Sequence, residues 1–187
     1  MGKVIIFSAP SGSGKTTIVK ELLARYPQLE FSISATSRAP RGAEQNGVDY
    51  YFLSQEEFAQ AVAEERFVEW EEVYKGTCYG TLRSEVERIW AKGHVIVFDV
   101  DVLGGINLKR IFGDEACSIF IMAPSVEELR RRLVARGTDA PEAIERRVAK
   151  AEFELTKAPE FDHVVVNDRL DDAVARACEI LGAFIAR

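Results

Sequence analysis

Near its amino terminus the chain reads Ala9-Pro10-Ser11-Gly12-Ser13-Gly14-Lys15-Thr16, followed by Thr17. Glycines at this spacing let backbone N–H groups curl around an anion, the lysine adds positive charge, and the hydroxyl beside it can ligate a divalent cation. The combination suits the phosphates of a nucleoside triphosphate, with Lys15 neutralising charge and Thr16 on magnesium. The first position is Ala9, where the usual pattern has glycine. A plain Gly/Ser turn with a solvent lysine is the competing reading; an apolar run before the loop and a helical periodicity after it speak against that. A carboxylate, Asp99, ends a second apolar run, Val95 to Phe98. There it could hold the magnesium shell through water or cap the segment that follows.

Two further groups of cations could bind phosphate. Arg38 and Arg41 lie three apart in Ser34-Ala35-Thr36-Ser37-Arg38-Ala39-Pro40-Arg41, shortly before the tyrosine-rich Gly47-Val48-Asp49-Tyr50-Tyr51-Phe52. Two guanidinium forks suit a dianionic phosphate, although on these residues alone a solvated basic loop remains open. The second group is Arg130, Arg131, Arg132, Arg136, Arg146 and Arg147. On a helix Arg132 and Arg136 share a face and Arg130 and Arg131 point elsewhere, so Arg130, Arg131 and Arg146 read as solvated. With 24 basic and 30 acidic side chains and a net charge of -6, the balance argues against a nucleic-acid polymer as main partner. His94 and His163 have no nucleophile or metal partner nearby in sequence and read as structural. Cys78, Cys117 and Cys178 are scattered without metal-ligand spacing, so reduced thiols are expected.

The elements that must position these residues alternate. Val4 to Phe7, Val95 to Phe98, Ser118 to Met122 and Val164 to Val166 are short apolar runs rich in β-branched and aromatic residues, the pattern of buried strands. Between them lie helical periodicities: Ile18, Leu22 and Tyr26 up to Pro27; Val86, Ile89 and Trp90; Val126, Leu129 and Leu133; Ile144, Val148, Ala151 and Leu155. Ser54 with Glu57, and Ser125 with Glu128, have capping-box spacing. The alternation predicts an α/β fold, a parallel sheet flanked by helices, with ligands at the carboxyl ends of its strands. At 187 residues one domain is expected over 1–187. Its core covers about 1–33, 83–135 and 148–187, with an inserted lobe at about 34–82 and a short lid at about 136–147. No apolar stretch is long enough to span a bilayer, and the amino terminus is unlike a signal peptide, so a cytoplasmic protein without a membrane partner is expected.

In SATSRAPRG, GVDYYF, FVEWEEV, YGT, FDVDVLGG, RRLVARGTD and VVVND, taken in order after the phosphate loop, the sequence resembles the guanylate kinases, P-loop nucleoside monophosphate kinases. That resemblance implies transfer of the γ-phosphoryl group of ATP to GMP, and to dGMP, with magnesium as cofactor and the two nucleotides as partners. It implies that Arg38, Arg41, Tyr50 and Tyr79 hold the GMP phosphate and that Ser34, Glu69, Thr81 and Asp101 surround guanine. On the ATP side it implies Ala9 to Thr17 and Asn167, the latter near the adenine, with Lys15, Asp99, Arg132, Arg136 and Arg147 serving catalysis. Thr81 stands where serine is frequent in the family, Cys78 where a tyrosine is common, and the stretch from Glu69 to Tyr79 is slightly longer. Two alternatives keep the fold: a P-loop kinase for another nucleoside monophosphate or a sugar phosphate, and a non-catalytic binding module.

Overall fold

In chain order the elements are β1 (Val4–Ser8), α1 (Lys15–Arg25), β2 (Leu29–Phe31), β3 (Ala35–Thr36), β4 (Tyr51–Phe52), α2 (Gln55–Ala63), β5 (Phe67–Tyr74), β6 (Thr77–Leu82), α3 (Arg83–Ala91), β7 (Val95–Asp99), α4 (Val102–Phe112), β8 (Ala116–Met122), α5 (Val126–Arg136), α6 (Pro141–Leu155), β9 (His163–Val166) and α7 (Leu170–Ile185). The computed structural model describes residues 2–137 and 140–187, so Thr138 and Asp139 of the expected lid lie outside the described residues.

Five strands form a parallel sheet in the order β2-β7-β1-β8-β9. Every residue of the central strand β1 is buried, Val4 and Ile6 in one apolar cluster and Ile5 and Phe7 in another. Successive side chains of a strand point to opposite faces, so this run demands helices on both sides. Ile18 and Leu22 of α1 with Leu181 and Phe184 of α7 cover one face; Val86 and Ile89 of α3 with Leu108 of α4 cover the other. Each buried Ile or Phe stabilises by about 1.5–3 kcal/mol. The parallel α/β architecture expected from the alternation is the one observed.

Residues 35–82 build a second, mixed sheet in the order β4-β3-β6-β5. Phe58 and Ala61 of α2 pack there against Ala35, Phe67 and Leu82. Ser54 and Glu57 form the reciprocal capping box of α2. At α5 only half of the expected box exists: Ser125 accepts from the Glu128 N–H, while Arg131 and Arg132 draw the Glu128 carboxylate away. Gly104 and Gly105 belong to α4, with Asp101 as its N-cap. Gly105 lets α4 approach β1 closely; a Cβ there would meet Ser8 Oγ and, at 3.1 Å, the Phe161 ring.

At the sheet's outer edge Glu30 of β2 is gripped by Lys92 at 2.8 Å, by Arg88, and by His94 Nδ1 at 2.8 Å. Burial by itself would raise the Glu30 pKa, but hydrogen bonds from Lys92, Arg88 and His94 outweigh it and pull the carboxyl from 4.5 to about 2. A pKa depressed in the folded state gives stability that is full above the unfolded value and lost as pH falls toward the folded one. Glu30→Gln is therefore expected to be less stable than the parent at pH 7 by about 1–2 kcal/mol. The gap should narrow below about pH 4.5 and vanish toward pH 2. Denaturant midpoints of both proteins from pH 7 to pH 3 check this, and a gap independent of pH would assign the loss to packing instead.

Candidate nucleotide site

β1 ends at Ser8 and α1 starts at Lys15, so residues 9–14 must turn the chain from strand to helix within six positions. Gly12 and Gly14 make that turn with φ of 92° and 86°, a region that disfavours any side chain. A Cβ on Gly14 would also run into the Asn167 amide. α1 has neither a side-chain cap nor an acid in its first turn. Its leading N–H groups and positive dipole end are thereby suited to an anion.

The loop forms one wall of a cleft of about 1040 Å³. Phe7 of β1 is in register with Asp99 of β7, which sets the Asp99 carboxylate beside the start of the loop. Lys15 Nζ pairs with Asp99 and donates to the Val100 carbonyl at 2.9 Å. Arg132, Arg136 and Arg147 line the facing wall, and Arg147 Nη1 donates to the Ser11 hydroxyl at 2.7 Å. Arg130 and Arg131 turn outward to Glu145 and Glu128. Arg146, expected to be solvated, borders the cleft with Lys150 and Glu154. The spacing 146, 150, 154 puts all three on one face of α6, a signal the sequence carried and the apolar stripe obscured. Burial raises the Glu154 carboxyl pKa, countered by Lys150, raised further by Asp101 and countered again by Lys15.

Asn167 is buried against the phosphate loop. Its Nδ2 donates to the Ser13 carbonyl at 2.8 Å, and its own carbonyl accepts from Arg132 Nη2 at 2.9 Å. The buried side-chain amide thus braces the loop, while the backbone carbonyl of the same residue holds Arg132.

The lobe gathers a second set. Arg38 Nε donates to the Tyr79 hydroxyl at 3.0 Å, and the guanidinium lies 4.9 Å from the centroid of the Tyr50 ring. Glu44, which no sequence pattern singled out, closes on Arg38 in bidentate fashion at 2.6 and 2.9 Å and accepts the Arg41 N–H at 2.8 Å. The Arg41 residue is exposed. Register between β5 and β6 sets Glu69 opposite Thr81, whose Oγ1 donates to Glu69 Oε1 at 2.7 Å. Burial raises the Glu69 pKa; Thr81 counters it, while Glu71 and Asp101 add to it. Asp101 accepts the Gly104 N–H at 2.8 Å and borders the phosphate cleft, so its charge acts on both Glu69 and Glu154. Ser34 enters β3 with its carbonyl accepting from the Tyr51 N–H at 2.9 Å.

For a divalent cation the cleft offers the Thr16 hydroxyl and the Asp99 carboxylate. Among the described residues no group of three or more His, Cys, Asp or Glu could hold a metal. Magnesium keeps several waters and takes few protein oxygens besides phosphates, so this pair fits an ion that arrives with a triphosphate.

The family model for guanylate kinase matches residues 1–184. The chain is 57% identical to a guanylate kinase of Bacteroides fragilis, over 98% of this chain and 90% of that one. It is 54% identical to a guanylate kinase of Porphyromonas gingivalis over 100% of both. A crystal structure of guanylate kinase from Anaplasma phagocytophilum is similar with a TM-score of 0.74 at 32% identity, covering 97% of this chain and 85% of that one. Since the match runs through both sheets and through the loop, cleft and lobe just described, the chain belongs to the guanylate kinase family.

Proposed function

We propose that this protein transfers the γ-phosphoryl group of ATP to GMP, giving ADP and GDP, and that it accepts dGMP as well. The observation that carries the reading is the Glu69–Thr81 pair on the lobe, close enough to feel the charge of Asp101, together with an uncapped, acid-free helix start on the core. Guanine offers a ring N–H and an amino group to carboxylates such as Glu69 and Asp101, and a carbonyl to the Ser34 hydroxyl and to that of Thr81, which is freed to donate once guanine replaces it on Glu69. Adenine reverses the pattern at that carbonyl, and each unpaired group costs about 1–3 kcal/mol.

The acceptor phosphate has a second pKa of about 6, so near neutrality it attacks without a general base. Catalysis then reduces to alignment and charge neutralisation. Arg38, Arg41, Tyr50 and Tyr79 align the acceptor, while Lys15, Arg132, Arg136 and Arg147 neutralise the transferred group. Bound through Thr16, with Asp99 behind it through water, magnesium would supply further neutralisation of the phosphates. Asn167 serves ATP indirectly, by bracing the loop. The lobe, about 34–82, and the lid, about 136–147, close over both nucleotides and exclude water. Free nucleotides as substrates fit a cytoplasmic location, and among the described residues no helix is long and apolar enough to cross a membrane.

The test is ADP release from ATP and magnesium with GMP, dGMP, AMP, CMP, UMP or no acceptor. Turnover is expected with GMP and dGMP and not with the others. Turnover with a different base, or equal turnover without acceptor, would overturn the assignment of the lobe.

A further inference from the structure

The chain passes between its two sheets twice, through residues 32–34 from β2 to β3 and through residues 82–83 from β6 to α3. Glu85 lies just beyond the second crossing and is only 2% exposed. A carboxylate is rarely so buried unless every oxygen is satisfied. Oε1 accepts the N–H of Ile33, inside the first crossing, at 3.0 Å, and Oε2 accepts the Tyr51 hydroxyl of β4 at 2.9 Å. Arg88, one turn further along α3, grips both oxygens at 2.8 and 2.9 Å and reaches on to Glu30 at the core edge. Burial alone would raise the Glu85 pKa; the bonds from Arg88, Ile33 and Tyr51 outweigh it and keep the group below the ordinary carboxylate range.

We propose that Glu85 is a positioning residue for the acceptor nucleotide, a pin that fixes how the lobe sits on the core; this rests on the reading of the lobe as the GMP site. Three of the acceptor segments are anchored next to it. Ile33 immediately precedes Ser34, and Tyr51 follows Tyr50 while its N–H binds the Ser34 carbonyl. α3 is the direct continuation of β6, which carries Tyr79 and Thr81. Loosening the carboxylate therefore shifts the guanine side and the phosphate side of the acceptor site together and leaves the phosphate loop in place.

The experiment compares KM for GMP, KM for ATP, kcat and melting temperature in the parent, Glu85→Gln and Tyr51→Phe. Glutamine keeps the volume and one acceptor oxygen but turns an amide N–H₂ toward groups that donate; phenylalanine removes a single hydroxyl. KM for GMP is expected to rise about tenfold in Glu85→Gln and about threefold in Tyr51→Phe, with KM for ATP within about twofold. A lower melting temperature with unchanged KM for GMP in both variants would overturn the proposal, since a merely structural role predicts that result. Should Glu85→Gln fail to fold, Tyr51→Phe decides alone. A parent without GMP-dependent turnover would sink the functional reading itself, and it shows in the parent arm before any variant is compared.

Discussion

Replacing Lys15 by methionine is expected to lower kcat by about 10²–10³-fold or more while the protein stays folded, the scale of losing one preorganised charge-stabilising donor. Lys15 is the first residue of α1 and its side chain lies over the phosphate loop, between the loop and the end of β7. Its ammonium is held by Asp99 and the Val100 carbonyl, so it is aimed before any nucleotide binds. A triphosphate entering the cleft competes with Asp99 for that charge. Negative charge spreads over the transferred group during the reaction, and a cation fixed beside it costs no reorganisation at that moment. Methionine preserves length and packing but supplies no charge. Single-turnover rates with saturating ATP and GMP, together with thermal melts, check the expectation. Residual turnover above about a tenth of the parent would remove Lys15 from this role.

What the sequence made legible divides along the length scale of the interactions. Strand, phosphate loop and helix at 4–25 were readable because their causes are local: a fully apolar β1, two glycines that tolerate positive φ, and a periodicity ended by Pro27. The lobe was recognised as a break in rhythm and its sheet was not. β3 and β4 are two residues long, and β5 interleaves Glu69, Glu71 and Glu72 with Phe67, Val68 and Trp70, so the pairing exists only once β6 folds back upon it. α7 went unread although Ala173, Val174, Ala177, Ile180, Leu181 and Phe184 make a continuous buried stripe.

The site residues follow the same rule. Arg132 and Arg136 were separable from Arg130 and Arg131 by helix spacing alone, and the cleft lies on the face that spacing selects. Glu44 and Glu85 were not readable, nor was the contact by which Asn167 braces the loop, because each derives its role from a partner brought near by folding. Asn167 binds Ser13 across 154 positions, and Glu85 binds Ile33 across 52. A carboxylate in sequence looks solvated until the fold brings donors to it; Glu85 is buried among its donors, and Glu44 is half-buried against Arg38.

Arg38→Lys is expected to lower kcat/KM for GMP by about 10²-fold, with KM for ATP within about threefold. The two are chemically alike only in charge. Four of the five N–H bonds of Arg38 are already committed: Nε to Tyr79, Nη1 to the Ala39 carbonyl and Glu44, and Nη2 to Glu44. Arg38 is thus less an open fork than a charged platform that sets other donors. Because the Tyr79 oxygen accepts from Nε, its own O–H is left to point toward an incoming anion. Glu44, with its carboxyl pulled to about 2 by Arg38 and by the Arg41 N–H, fixes the loop that carries Arg41. A lysine ammonium cannot span Tyr79 and Glu44 with one planar group, so the substitution releases both while keeping the charge. Losing one charge-assisted bond of about 1.5–3 kcal/mol, together with the orientation of Tyr79, accounts for the expected factor. Steady-state kinetics with each nucleotide varied in turn separate the outcomes. An equal rise in KM for ATP would mean that Arg38 supports the whole domain; no loss beyond threefold for GMP would mean that its charge alone, and not its geometry, serves the acceptor.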